Sequence, residues 1–365
     1  MSAAALRQSD VHVASNGTGF LAVWRDGYGG SFAAELSDRG HAPVTPLAIT
    51  GGDVVGTLAS DGDGYLASWV AFRNGALLME GVTFERRDGG LIVHKFSRNA
   101  GNYVRSLTSG GAPGVYLVVW NAGNLFDQTL VAARVRPDGI PIDVVPIPLW
   151  SDKYLWTIPS VAFDGEDFIV AASFSMNSAA DGPSLLHTFR VSLNGTARFD
   201  RTWSTRGVVE RATLDCGGRT CLIAWTEQAS DSDASWRLVG QRFRMGGELI
   251  DANPFDIDVA DTSQSRPTVA WDGSRYVVTW TRDPSGLTPE RIEARTIVPT
   301  GTVHADAFDL LAERDRGLDS STTACNHRGR CLIVEPRLVD DSTLGRTTRM
   351  YKRFFGDARR RGARR

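Results

Sequence analysis

Long apolar runs are missing from this chain. None of its 365 residues falls in a stretch that approaches the roughly 18–20 apolar side chains a helix needs to cross a bilayer. The start, "MSAAALRQSD", lacks a basic segment followed by an apolar one, so no export signal is visible. Both a trimmed mature chain and a cytoplasmic start fit that. An excess of one charge is missing too. The formal net charge is −2, and setting aside the five Arg of the terminal "RRRGARR" leaves −7 on the rest. Such a body argues against a nucleic-acid partner, and residues 358–365 read as a basic disordered tail.

Catalytic signatures are equally scarce. His12, His41, His94, His187, His304 and His327 are scattered, with no HExxH or other metal-ligand spacing. There is no G-x-S-x-G elbow and no phosphate-binding or dinucleotide glycine motif. The acidic turns "DGDG" and "DSDAS" admit Ca2+, yet neither continues to the distal Glu of a calcium loop. No other cofactor is expected. Helical periodicity is absent over any comparable length.

What is present is a repeat. The phrase "TVAWDGSRYVVTW" (268–280) recurs along the chain, each copy ending on an anchor: Trp24, Trp69, Trp120, Ala172, Trp225, Trp280 and Glu335. Successive anchors lie 45, 51, 52, 53, 55 and 55 residues apart. Four places before each stands Phe20, Tyr65, Tyr116, Phe168, Cys221, Tyr276 or Cys331, and a Gly/Asp/Asn turn precedes that. An alternating run follows each anchor, as in "TLVAARVRPDG" or "WRLVGQRFRMGG", then a short run such as "IDVVPIPL", "FDIDVA" or "FDLLA". Alternation at period two with β-branched residues specifies strands, about four per unit.

A period near 50 with four strands is a propeller blade. The expected fold is therefore all-β: a single seven-bladed β-propeller over residues 1–357, built of four-stranded antiparallel blades. Its last unit has three strands, and the N-terminal "AAALRQS" is expected to close the ring as the missing outer strand. The anchors are expected to be core residues between blades.

Four cysteines form two pairs, Cys216/Cys221 and Cys325/Cys331, each straddling an inner hairpin turn. Facing hairpin positions lie within disulfide range, while neither pair has the CxxC spacing of a zinc site. Two local disulfides are expected, and with them an oxidising extracellular or periplasmic location. "NGT" at Asn16 and Asn194 matches a glycosylation acceptor, but both fall where the repeat needs a tight turn.

The pattern "VAWDGSRYVVTW…ARTIVPTG" and "GVYLVVW…AARVRPDGIPID" resembles the blade repeat of secreted bacterial, myxobacterial-type, seven-repeat β-propeller proteins. That resemblance covers all seven units, with Ala172 and Glu335 departing from the Trp. It implies the architecture and no reaction.

Variable loops follow each anchor, among them "RDGYGG", "AFRNGA", "NAGNLFDQ" and "TRDPSGLTPE", and they mark one rim as the candidate surface. Its candidate binding residues are Arg25, Asp26, Tyr28, Arg73, Asn124, Arg282 and Asp283. The pairs Arg25–Asp26 and Arg282–Asp283 are read as occupying the same place in two blades, hence repeat residues rather than a catalytic set. Trp150, Tyr154 and Trp156 in "PLWSDKYLWTIP" add an aromatic group that either stacks on a ligand or covers a blade edge. No catalytic and no metal residues are assigned. The expected function is a monomeric, non-catalytic binding or adhesion module for a glycan or partner protein. A polysaccharide-acting glycosidase or lyase with its site at the channel mouth, and a structural module of a larger surface protein, are the alternatives.

Overall fold

The computed structural model describes residues 8–356 apart from 28, 39–45, 88–89, 124–127, 153–158, 176–183, 229–235, 261–262, 284–290, 304–307, 313–321 and 342–344. Among the described residues no helix is long and apolar enough to cross a membrane. They form seven antiparallel sheets, six with four strands and one with three, and within every sheet the strand order follows the chain. These are the blades, spanning 8–48, 57–101, 104–152, 160–203, 208–260, 263–312 and 322–355. Each blade's inner strand contacts the inner strand of the next, and that of blade 7 contacts that of blade 1, so the ring is closed.

Blade 1 begins with the inner strand Gln8–Ser15, paired to Phe20–Asp26. Gln8 and Ser9, the end of the expected closing segment, thus belong to blade 1, and residues 1–7 lie outside the described residues. Blade 7 ends on Gly345–Phe355, and the Met350 backbone N–H of that strand donates to Gln8 Oε1 at 2.9 Å. Opposite Met350 stands Pro336, which has no N–H for the ladder. A side chain of blade 1 thus holds the backbone of the last strand.

All seven anchors lie on second strands and are buried, as are the residues four places earlier. Each anchor Trp packs on the preceding blade: Trp69 on Leu21 and Val23, Trp120 on Leu66 and Met79, Trp225 on Leu186 and Trp203. The turn residues have a two-part reason. Asn16, Asp61, Asp164, Asp272 and Asn326 each accept two backbone N–H groups of the turn on the side-chain Oδ1. The residue after Asp272, Gly273, has φ +98°, and a Cβ there would meet the His327 carbonyl oxygen of the next blade at 2.4 Å. The "NGT" and "DGDG" stretches are turns of this kind, and Asn194 likewise caps Thr196 N–H. "DSDAS" lies outside the described residues.

One strand begins later than its apolar run suggests. "FDIDVA" and "FDLLA" are outer strands over their full length, Phe255–Ala260 and Phe308–Ala312. In blade 3 the outer strand is only Ile147–Asp152. Asp143 is pulled inward by Arg134, and the Ile142 N–H still donates to the Arg134 carbonyl at 2.9 Å, while Val144 and Val145 stand in solvent.

Both cysteine pairs are disulfides, Cys216–Cys221 and Cys325–Cys331, with Cα atoms 4.0 Å apart in each. They occupy directly facing positions beside the hairpin turn.

Candidate functional site

The second strands end, and the outer strands lead on to the next blade, at one face of the ring, and two features among the described residues of that face have the geometry of a site. The first is a crevice between blades 1 and 2. It is built from Ser31, 1% exposed, which begins the third strand of blade 1. Ser31 Oγ donates to the Asp53 carbonyl at 2.9 Å, and its backbone N–H donates to Thr50 Oγ1 at 2.8 Å. The turn before it presses close, since a Cβ on Gly30 (φ +98°) would lie 2.1 Å from the Thr50 carbonyl oxygen. This fixes the connection 49–56 and aims the Asp53 carboxylate at blade 2.

Arg73, the last residue of the strand Tyr65–Arg73, meets it there. Its Nη2 donates to Asp53 Oδ2 and, at 3.1 Å, to Glu80 Oε2. The same Glu80 oxygen accepts the Trp69 indole N–H at 3.2 Å. Asp53 first and Glu80 second hold the Arg73 guanidinium above its ordinary pKa, so it stays charged. These residues with Lys95 and Ser97 line a cavity of about 380 Å³.

The second feature is a series of small polar side chains on the inner strands. One residue before each anchor, the facing inner-strand position holds Thr57, Thr108, Ser160, Thr213, Thr268 or Thr322, and in blade 1 His12. Two of these side chains reach the next blade, since Thr57 Oγ1 lies 2.8 Å from Ser109 Oγ and Ser160 Oγ accepts the Leu214 N–H at 3.2 Å, whereas Thr268 Oγ1 lies 2.6 Å from Thr279 Oγ1 of its own blade. His12 Nε2 lies 3.1 Å from the Val55 carbonyl oxygen, a contact that only a protonated Nε2 makes a hydrogen bond. Burial pushes the His12 pKa down to about 4, with Arg211 adding to the effect.

Two residues before His12, Thr213 and Thr268 stand Asp10, Arg211 and Arg266, where the three inner strands are interrupted by register shifts. Asp10 and Arg266 have φ of 50° and 56°, left-handed values that bulges next to functional sites often hold. No repeat signal in the sequence pointed to these residues, because a lone Ser or Thr in a strand is ordinary composition.

Several described carboxylates of the face are already paired. Glu227 accepts the Trp225 indole N–H at 3.0 Å and the Arg206 backbone N–H at 3.1 Å, and burial pushes its pKa up. Asp258 holds Arg295 at 2.9 Å and also pairs with Arg282, which reaches Glu293 at 2.8 Å. Arg282 is thus a tie between blades 5 and 6.

The candidate residues do not converge. Arg73 lines the crevice, whereas Arg282 lies four blades on. Arg25 and Asp26 end the strand Phe20–Asp26 at the blade 1 turn. The two Arg–Asp pairs are not equivalent, which corrects the expectation: Arg25 adjoins Trp24, while Arg282 follows Trp280 by two residues. Because side chains alternate, Asp26 is the counterpart of Arg282. Asp283 closes its strand, with its side chain outside the described atoms. Trp150 lies between blades 3 and 4 against the rings of Phe174, His187, Phe189 and Phe199, with centroids 5.2–6.0 Å away. Tyr28, Asn124, Tyr154 and Trp156 lie outside the described residues. Among the described residues no group of three His, Cys, Asp or Glu could hold a metal.

No family model matches the chain, and no curated protein matches it. Several solved structures share its fold. One is a subtype N11 neuraminidase-like protein of A/flat-faced bat/Peru, with a TM-score of 0.50 and 10% identity over 96% of this chain and 88% of that one. A protein of unknown function from Dyadobacter fermentans gives 0.49 and 11% over 96% of each chain. Prolyl oligopeptidase B from Galerina marginata gives 0.50 and 10%, covering 94% of this chain and 51% of the other. At such identity the likeness is one of fold alone.

Proposed function

We propose that this propeller is an exported, non-catalytic binding module that takes a glycan at its loop-bearing face. The observation that carries the reading is the crevice of about 380 Å³ in which Arg73, Lys95 and Ser97 offer donors, and Asp53 and Glu80 offer acceptors, beside Trp69. Interleaved donors and acceptors suit a polyhydroxylated ligand, and the volume accommodates a sugar unit or two. Asp53, Glu80, Glu227, Asp258 and Glu293 are engaged by Arg side chains or indole N–H groups, which favours recognition over acid–base work. Two disulfides support an oxidising compartment.

The experiment is a glycan panel measured by calorimetry, with Arg73→Ala and Glu80→Gln as variants and product analysis run in parallel. A saccharide that binds the parent and neither variant establishes the reading. Release of new reducing ends or unsaturated sugars would replace it with the enzyme reading, and a panel without a binder would refute it.

A further inference from the structure

A second crevice, between blades 2 and 3, has a different chemistry. Arg98 lies on the outer strand of blade 2, Gly90–Gly101, facing Met79. Its guanidinium sits over the Trp120 ring, with Cζ 5.4 Å from the centroid. Its Nε and Nη1 are sealed against the protein and have no hydrogen-bond partner, which leaves Nη2 as the atom that can meet a ligand in the crevice. The nearby carboxylate, Asp143, belongs to Arg134: it accepts the Arg134 backbone N–H at 2.7 Å, Nε at 3.1 Å and Nη2 at 2.6 Å. Two guanidiniums therefore share this wall with one carboxylate, and the unmatched positive charge is on Arg98. Buried donors left without acceptors are exceptional in folded proteins.

The cavity beside Arg98 measures about 500 Å³, and its remaining wall is largely apolar, with Ala122, Pro141, Val144 and Pro146. Val144 is 96% exposed and Val145 75%. The Asp143 clamp causes this, by holding the chain in a bend where two branched side chains have nothing to pack on. An aliphatic shelf beside one unmatched cation answers a ligand with a carboxylate next to an aliphatic group. An acidic sugar would bring several hydroxyls to a wall whose other polar side chains are Asn99 and the Asp143 already held by Arg134.

We propose that the crevice binds the free carboxylate end of a peptide whose last residue is aliphatic, Arg98 taking the carboxylate and Val144 with Pro141 and Pro146 taking the side chain. The test is calorimetry on the full chain at low salt with the probe acetyl-Gly-Ala-Val as the free acid, its C-terminal amide, and galacturonate. The acid is expected to bind at least tenfold tighter than the amide. Arg98→Gln should abolish that preference. Because Arg98 also packs on Trp120, Val144→Asp is the second variant. Val144 is almost wholly exposed, so the change leaves the fold intact and sets a negative charge against the carboxylate, lowering affinity at least tenfold. Equal binding of acid and amide, no binding of the acid at millimolar concentration, or an unaffected Val144→Asp overturns the proposal. So does galacturonate binding as tightly as the peptide, which would reassign the crevice to acidic sugars.

Discussion

Arg242 and Asp251, nine residues apart, meet in a two-point ion pair: Nη2 lies 2.5 Å from Oδ1 and Nε 2.9 Å from Oδ2. Arg134 and Asp143 repeat the spacing and the geometry two blades earlier. In each case Nη1 reaches across to a carbonyl of the following blade, Pro299 or Leu193. The pair is thus a rivet through which one blade grips the next. Removing one partner leaves the other buried and uncompensated, so Arg242→Met is expected to cost about 3 kcal/mol. Arg242→Met with Asp251→Leu should cost less than the sum of the single changes. Urea unfolding midpoints check both.

The disulfides close loops of sequence separation 5 and 6. Small loops remove little entropy from the unfolded chain, so each bond is expected to contribute about 2 kcal/mol. Cys216→Ser with Cys221→Ser should lower the melting temperature modestly, as should the blade 7 pair. If blade 7 depends on its disulfide more, because its sheet has three described strands, the second loss will be the larger. Calorimetric scans in oxidising buffer compare them.

Two buried groups tilt stability in opposite directions with pH. The His12 pKa is pushed down to about 4 from 6.5, so its neutral form is favoured by folding, and stability falls as pH drops from 6.5 toward 4. For Asp215, burial pushes the pKa up to about 6, against hydrogen bonds from the Trp271 and Cys216 backbone N–H groups. The folded state then binds more protons than the unfolded one, and stability falls as pH rises from about 4 through 6. His12→Gln should flatten the acid-side loss, whereas Asp215→Asn should flatten the loss on raising pH. The two windows overlap and oppose each other in the parent, so unfolding midpoints of the two variants, measured from pH 4 to 7.5, show each slope by itself.

Much of the fold was legible because one residue type at one strand position does the same job in each blade. Trp69, Trp120, Trp225 and Trp280 repeat because the same gap between blades repeats. The candidate surface was less legible, for physical reasons. The crevice at Arg73 depends on how Ser31 and Thr50 fix the connection before Asp53, and those residues are far apart in sequence from Glu80. The hydroxyl series from Thr57 to Thr322 is written in small side chains that any strand carries. The late start of the outer strand at Ile147 follows from the Arg134–Asp143 pair, which hydropathy does not register. In hindsight the spacing of Arg and Asp in "RVRPDGIPID" and "RFRMGGELID" was the visible trace of it.

Ala172 offers the sharpest test of this logic. It is 1% exposed where five other blades carry Trp, on the face that packs against blade 3. The vacated volume is filled from both sides. His187, directly opposite Ala172, lies 5.2 Å from the Trp150 ring, and Trp150 comes from the outer strand of blade 3. Trp150→Ala should then open a cavity and cost about 3 kcal/mol. Ala172→Trp alone should overpack the site and cost about 2 kcal/mol. Together the two changes return the Trp to its own blade and relieve each other, so the double variant should be at least about 1 kcal/mol more stable than additivity allows. Strict additivity in a denaturant-monitored double-mutant cycle would mean that Trp150 does not stand in for the missing anchor.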